Sequence, residues 1–292
     1  MAVWNLGSIN IDNVYRVPHI PAPGETLSAT AYSQGLGGKG ANMSVAIARA
    51  AARVAHIGAV GPEAGWAVTR LLEYGVDTRC ISVLPGQATG HANITVSADG
   101  ENQIVIHPGA NRQVPYDQID GALARADAGD TLMMQNETNG QVHAAQIAHR
   151  LGLRVIYAAA PFDADAVKEL LPYIDVLVLN AVEAAQLGAA LGVPLRDLKV
   201  KDIVVTKGGD GCTWYDTLAG TETHVPAIPV QPVDTTGAGD TFTGYLVAGL
   251  DRGMPMRQAL WLATQAAAIM VTRLGTADVI PDLKDIEDAR LS

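Results

Sequence analysis

Only two of the 292 residues are cysteine, Cys80 and Cys212. They lie too far apart to form a metal-ligand pair, and they exclude a disulfide framework. Both are read as ordinary buried thiols in a reducing compartment. Aromatic residues make up 5% of the chain and charged residues 17%. No apolar run is long enough to cross a bilayer; the nearest, Ala263 to Val271, is short and contains Gln265. The opening Met-Ala-Val-Trp-Asn-Leu-Gly lacks a basic segment followed by an apolar one, so no signal peptide is expected. Basic residues are scarce as well: 20 Lys and Arg face 30 Asp and Glu, a formal net charge of −10. That balance argues against a nucleic-acid partner, which needs a basic patch. An anionic substrate would need a local cluster of donors to capture it. A soluble, cytoplasmic chain is expected, with neither nucleic acid nor membrane as partner.

What is present is apolar mass, 48% of the residues, enough for a large core. Strand-like runs at Val3–Ile9, Val54–Val60, Thr131–Met134, Val155–Ala158, Val176–Leu179 and Ile203–Thr206 alternate with helical patterns. The helical patterns fall at Ala41–Val54, Trp66–Tyr74, Gln141–Leu151, Asp163–Leu171, Ala181–Leu191, Thr241–Arg252 and Met256–Arg273. This rhythm predicts an α/β fold with a parallel sheet covered on both faces. Leu27–Ser33 and Gly90–His107 break it by alternating with period two, and Asp99-Gly100 inside the second is a hairpin signal. These runs predict a small antiparallel lid, contributed by about residues 13–35 and 88–110. No repeat or linker divides the chain, so residues 1–292 are read as one domain.

Three constellations carry chemistry. Asn10-Ile11-Asp12 follows the first strand, where ligands of open α/β sheets bind. Asn10 and Asp12 point to one side of an extended segment and suit adjacent sugar hydroxyls, or else they cap a turn. Gly35-Leu-Gly-Gly38-Lys39-Gly-Ala-Asn42 leads into a helix, where glycines admit a ligand to free N–H groups. Gly35, Gly37 and Gly40 also match a dinucleotide fingerprint, but that site belongs after the first strand, where Asn10 and Asp12 stand. A P-loop would need Ser or Thr after Lys39. Asp234-Thr-Thr236-Gly237-Ala238-Gly239-Asp240 starts another helix. Gly237 to Gly239 can present N–H groups to an anion, and Asp240 beside them reads either as the base for an attacking hydroxyl or as a helix cap.

The stretches at 37–42 and 234–240, in this order, resemble the two signatures of the ribokinase family, the PfkB carbohydrate kinases. Leu6–Asp12, Pro23-Gly-Glu-Thr26 and Gly109-Ala-Asn111 are most similar to ribokinases within it. The resemblance implies a three-layer αβα sandwich with a lid, and transfer of the γ-phosphoryl group of ATP to a sugar, D-ribose being the best single expectation. It implies that Asn10, Asp12, Gly38, Lys39, Asn42 and Glu137 contact the sugar and that Asp240 is the base. Gly237, Ala238 and Gly239 would form the anion hole. Thr206, Gly208, Gly211, Gly239, Asn180 and Thr264 would line the nucleotide site. Asn180 and Glu183 would organise Mg²⁺ through water, and Asp234, Thr236 and Gly275 would hold a monovalent cation, K⁺. Pairing through lid strands would make a homodimer.

Several positions depart from the family pattern. The chain is short between Leu187 and Ile203, where a helix is expected to be missing. Thr264 stands where a histidine is common, Val279 where a polar side chain completes the cation shell, with Asp278 next to it. His91 replaces an aliphatic residue and would alter sugar preference if it faced the sugar. The alternatives are the same chemistry on a nucleoside, deoxyribose or a 2-keto sugar acid, for which Arg112 and Arg16 are the nearby cations. A sugar sensor without catalysis and a dinucleotide oxidoreductase are the readings from other classes.

Overall fold

The computed structural model describes residues 1–289. The first strand, β1 (Val3–Leu6), is buried throughout and leads into two strands of a separate sheet, β2 (Asn10–Arg16) and β3 (Ala31–Gly37). Helix α1 (Lys39–Arg49) follows directly, then β4 (Val54–Val60), α2 (Gly65–Glu73) and β5 (Asp77–Val83). The chain returns to the small sheet with β6 (Gly90–Val96) and β7 (Asn102–His107), joined by the turn that holds Asp99-Gly100.

Four further units complete the frame. They are α3 (Tyr116–Leu123) with β8 (Thr131–Gln135), α4 (Gln141–Leu151) with β9 (Arg154–Ala158), α5 (Ala164–Leu170) with β10 (Val176–Asn180), and α6 (Ala181–Leu191) with β11 (Asp202–Thr206). The hairpin β12 (Cys212–Asp216) and β13 (Thr221–Val225) closes the edge. Helices α7 (Ala238–Asp251), α8 (Met256–Met270) and α9 (Leu283–Ala289) end the described chain.

The large sheet has the order β13-β12-β11-β10-β9-β8-β1-β4-β5. From β5 to β11 all its pairings are parallel. Such strands are buried on both faces and read as unbroken apolar runs. Successive side chains divide between two cores: Val3 and Met133 pack with α1, α2, α7 and α8, while Trp4, Leu6, Leu132 and Met134 pack with α3 to α6. This is the expected three-layer α/β sandwich.

The second sheet has the order β3-β2-β6-β7, and one expectation about it needs correction. The lid is mixed, not antiparallel: β2 and β6 pair in parallel, flanked by antiparallel partners. The reason is topological. Both strands leave the large sheet beyond the carboxyl ends of the parallel strands β1 and β5, and so enter the lid in the same direction. The lid strands also begin at Asn10 and run to Gly37, beyond the expected bounds. The shortened crossover is confirmed: after α6 only a 3₁₀ turn, Leu195–Asp197, precedes β11. Leu198 and Val200 nevertheless bury in the second core, and β10 and β11 keep full parallel register from Val176↔Asp202 to Asn180↔Thr206.

Candidate functional site

β1 ends at Leu6, and the next residues change sheets. In β2, Asn10 and Asp12 fall opposite Gly37 and Gly35 of β3. A Cβ at Gly37 would lie 2.1 Å from Asp12 Oδ2, so a larger residue there would displace the Asp12 carboxylate. Gly38 adopts φ 93°, and a Cβ would meet the Asn10 backbone nitrogen at 2.9 Å. These two positions let β3 fold tightly over β2 and deliver Lys39 as the first residue of α1.

Glu137, in the loop after β8, ties the turn from above. Its Oε2 accepts the Lys39 backbone N–H at 3.2 Å and a short bond from the Ser8 hydroxyl. Ser8 Oγ in turn accepts the Gly40 N–H at 3.2 Å. Asn111 donates to Asn10 Oδ1 at 2.7 Å and accepts the Ile9 N–H at 2.9 Å. Arg112 donates to the Thr138 and Asn136 carbonyls at 2.7 and 3.0 Å, bracketing Glu137. Its guanidinium is thereby committed to the loop rather than offered to an acidic sugar.

On the opposite wall, Gly237 takes a left-handed φ of 74° and starts α7, so that Asp240 lies in the first turn. Asn42 Nδ2 donates to Asp240 Oδ2 at 2.8 Å. Asn42 Oδ1, in a side chain only 5% exposed, has no protein partner. A buried orphan acceptor is costly and marks a place for a ligand hydroxyl. Burial pushes the Asp240 carboxyl up, while Lys39 and the Asn42 bond pull it back. Asp240, then Glu137 and Glu183, hold the Lys39 ammonium in its charged form against burial. Asp12 is raised to about 6, by burial first and by Glu137 second.

Beyond Asp240 opens a cavity of about 810 Å³. Asn180, Thr206, Gly208, Gly211, Gly239 and Thr264 all line it, with Ala238. Its apolar wall of Ile228, Pro229, Val230, Phe242 and Val271 was not among the residues expected from sequence. The extended Ile-Pro-Val segment carries no glycine or charge signal that would have marked it. Thr264 turns its hydroxyl to the Leu260 carbonyl at 2.9 Å. Ser8 and Asn111 stood out only as parts of motifs, and Arg112 only as a cation near an acidic sugar.

Asn180 and Glu183 form a reciprocal capping box on α6, with bonds of 2.9 and 2.7 Å. That leaves one Glu183 carboxylate oxygen outside the cap. Asp234 accepts from the Thr236 N–H at 2.9 Å and from the Gly275 N–H at 3.4 Å, so those three residues do meet. Asp278 instead accepts a short bond from Tyr74, and Val279 packs its methyls 3.5 Å from where a Gly275 Cβ would stand. His91 is in register with Ile11, so it lies on the lid face opposite Asp12. Its ring meets the Thr89 carbonyl and His107, not the cleft.

The chain matches the family model described as pfkB family carbohydrate kinase over residues 3–283. It is 35% identical over 290 residues to a ribokinase of Haemophilus influenzae, covering 94% of each chain. A deoxyribokinase of Salmonella typhi is 31% identical, with 99% of this chain and 98% of that one covered. The crystal structure of a ribokinase from Cryptococcus neoformans var. grubii in complex with ADP superimposes with a TM-score of 0.86 at 31% identity, covering 99% of both chains. With the two glycine turns meeting at Asn42 and Asp240 and the match running nearly end to end, the chain belongs to the pfkB family of carbohydrate kinases.

Proposed function

We propose that this carbohydrate kinase transfers the γ-phosphoryl group of ATP to the primary hydroxyl of D-ribose, giving ribose 5-phosphate, with Asp240 as the base. The observation that carries the reading is the Asn42–Asp240 bond. It brings the polar cluster of Asn10, Asp12, Lys39 and Glu137 against the carboxylate that follows Gly239, a residue lining the large cavity. The ribokinase and deoxyribokinase relatives favour a pentose, and the ADP-bound neighbour favours a nucleotide in the cavity.

Asp12 and the orphan Asn42 oxygen accept sugar hydroxyls, while Lys39 and the Asn10 amide donate. Asp240 keeps Oδ1 for the acceptor hydroxyl. As the sugar oxygen bonds to the γ-phosphorus, the bond to the ADP oxygen breaks and the proton passes to Asp240. Raised by burial, the carboxyl is a stronger base than an exposed one. Gly237 and Gly239 offer N–H groups and the positive end of α7 to the charge that develops, while the Ala238 N–H bonds the Thr235 carbonyl at 3.2 Å.

Among the described residues no cluster of three or more His, Cys, Asp or Glu could cage a metal. That fits Mg²⁺, which binds through water and substrate phosphates and neutralises their charge. Asn180 and Glu183 would hold its water shell. A monovalent cation fits less well: Asp234 supplies a carboxylate, but Tyr74 engages Asp278 and Val279 brings no side-chain donor. No step is assigned to K⁺.

The lid presents an apolar face. Val14, Ile94 and Ile104 are in register, and Ile104 and Ile106 are 51% and 59% exposed. Pairing of two lids would cover that face and the open edge of β7, making a homodimer. No described helix is long and apolar enough to cross a membrane; ATP as donor supports a cytoplasmic reaction.

An ADP-release assay against pentoses, deoxyribose, hexoses, keto acids and nucleosides tests the proposal. D-ribose should give the highest kcat/KM. A preference for deoxyribose or a nucleoside would move the acceptor while leaving the transfer chemistry intact.

A further inference from the structure

Strands buried on both faces normally carry apolar residues. Three of the strands here, β1, β4 and β8, carry fully buried polar residues that join one network. Asn5 interrupts β1 and His56 interrupts β4, and both are fully buried, as are Ser44 and Gln135. Their side chains form one continuous chain of bonds. Gln135 Nε2 donates to Asn5 Oδ1 at 2.8 Å. Asn5 Nδ2 is placed to donate to the Gly40 carbonyl and to Ser44 Oγ, both at 2.8 Å. Ser44 and His56 Nδ1 lie 2.9 Å apart, and His56 Nε2 meets the Gly7 carbonyl at 3.0 Å.

The directions in this chain settle one another. The Gly7 carbonyl can only accept, so His56 carries its proton on Nε2 and accepts the Ser44 hydroxyl proton on Nδ1. Burial keeps the ring neutral, as this pattern requires. The chain ends on the first turn of α1, one residue past Lys39, where Gly40 packs against the backbone of Gly7 and Ser8 so closely that a Cβ would lie 2.3 Å from Ser8 N. Glu137 and Ser8 hold the same turn from the cleft side.

We propose that Asn5, Ser44 and His56 are positioning residues that set the first turn of α1, and through it Lys39, for sugar binding. His56 does this by occupying the Ser44 hydroxyl. A helical serine without another acceptor donates to the carbonyl four residues back, which bends the helix. Here that carbonyl is Gly40, the one Asn5 holds. Releasing Ser44 would set it against Asn5 for the same carbonyl, at the turn that carries Lys39.

The inference rests on Lys39 contacting the sugar. Its test is steady-state kinetics of the full chain with the preferred sugar and ATP varied separately. His56→Phe should lower kcat/KM for the sugar by about 10-fold and leave the ATP KM within about twofold, the scale expected of a small misplacement of one binding group. His56→Gln, whose amide can both accept from Ser44 and donate to Gly7, should recover most of the loss. Asn5→Ala, which removes the bond to the Gly40 carbonyl, repeats the test if His56→Phe does not fold. Should it lower the melting temperature while sugar kinetics stay at wild-type values, or shift both KM values equally, the positioning role is overturned and the network is only structural. A wild-type chain that phosphorylates no sugar would overturn the acceptor reading itself, a distinct result.

Discussion

Asn42 Nδ2 lies 2.8 Å from Asp240 Oδ2, a bond between residues 198 positions apart. It joins the start of α1 to the start of α7. Asn42 thereby orients the carboxylate with one end of its amide and offers the other to substrate.

Asp240→Asn keeps the shape of this pair and removes the base. Turnover should fall by about 10²- to 10⁴-fold, with sugar affinity close to wild type by calorimetry. Near-normal turnover would remove Asp240 from the proton transfer.

Asp12 sets a pH dependence. Its carboxyl is held up to about 6, so it protonates as the pH falls through that value and stops accepting from the sugar. The sugar KM should rise below about pH 6 while the ATP KM stays level. Stability runs the other way. The folded state binds this proton more tightly than the unfolded chain, so stability from this group is full below the ordinary value of 3.8 and is lost as the pH rises to about 6. Asp12→Asn should therefore raise both the melting temperature at pH 7.5 and the sugar KM. An unchanged KM would make Asp12 a turn residue only.

His56 has the opposite linkage. Its folded pKa is lowered to about 4 from 6.5, so the unfolded chain takes up the proton first. Stability is complete above about pH 6.5 and is lost as the pH falls toward 4, by about 3 kcal/mol from this one group. Urea midpoints at pH 7, 5 and 4, compared between wild type and His56→Gln so that the raised carboxyls such as Asp12 and Asp240 cancel, should show it. His56→Gln should flatten that slope.

The lid face gives an assembly prediction. Ile104→Asp with Ile106→Asp places charge on the exposed apolar face. Sedimentation should show a dimer for the wild type and a monomer for the double variant. A monomeric wild type at micromolar concentration would exclude the lid as an interface.

The donor set beside Asp234 predicts weak activation by K⁺. Replacing K⁺ with a bulky organic cation should change kcat by less than about twofold, since Asp234 is the one carboxylate left beside the site once Tyr74 engages Asp278, and a single charge holds a monovalent ion loosely. A steep K⁺ dependence would mean that backbone carbonyls complete the shell.

The amino-acid sequence by itself determined the layered α/β class, because runs such as Val176–Leu179 are apolar on both faces and only a covered parallel sheet buries them. It also marked the two glycine turns, because the left-handed φ at Gly38 and Gly237 and the close backbone approach at Gly38 favour glycine. Only the tertiary structure decided what those turns meet. The partner of Asn42 lies on a distant helix, the lid's mixed pairing follows from where two chains leave the large sheet, and His91 faces away from the cleft because of strand register. The hydrogen bonds from His56 to Gly40 were equally hidden, since buried polar residues in sequence show no partner until the strands and the helix beside them are packed. Local pattern reports how each segment is buried; long-range pairing depends on the closure of the whole sheet, which no window of sequence contains.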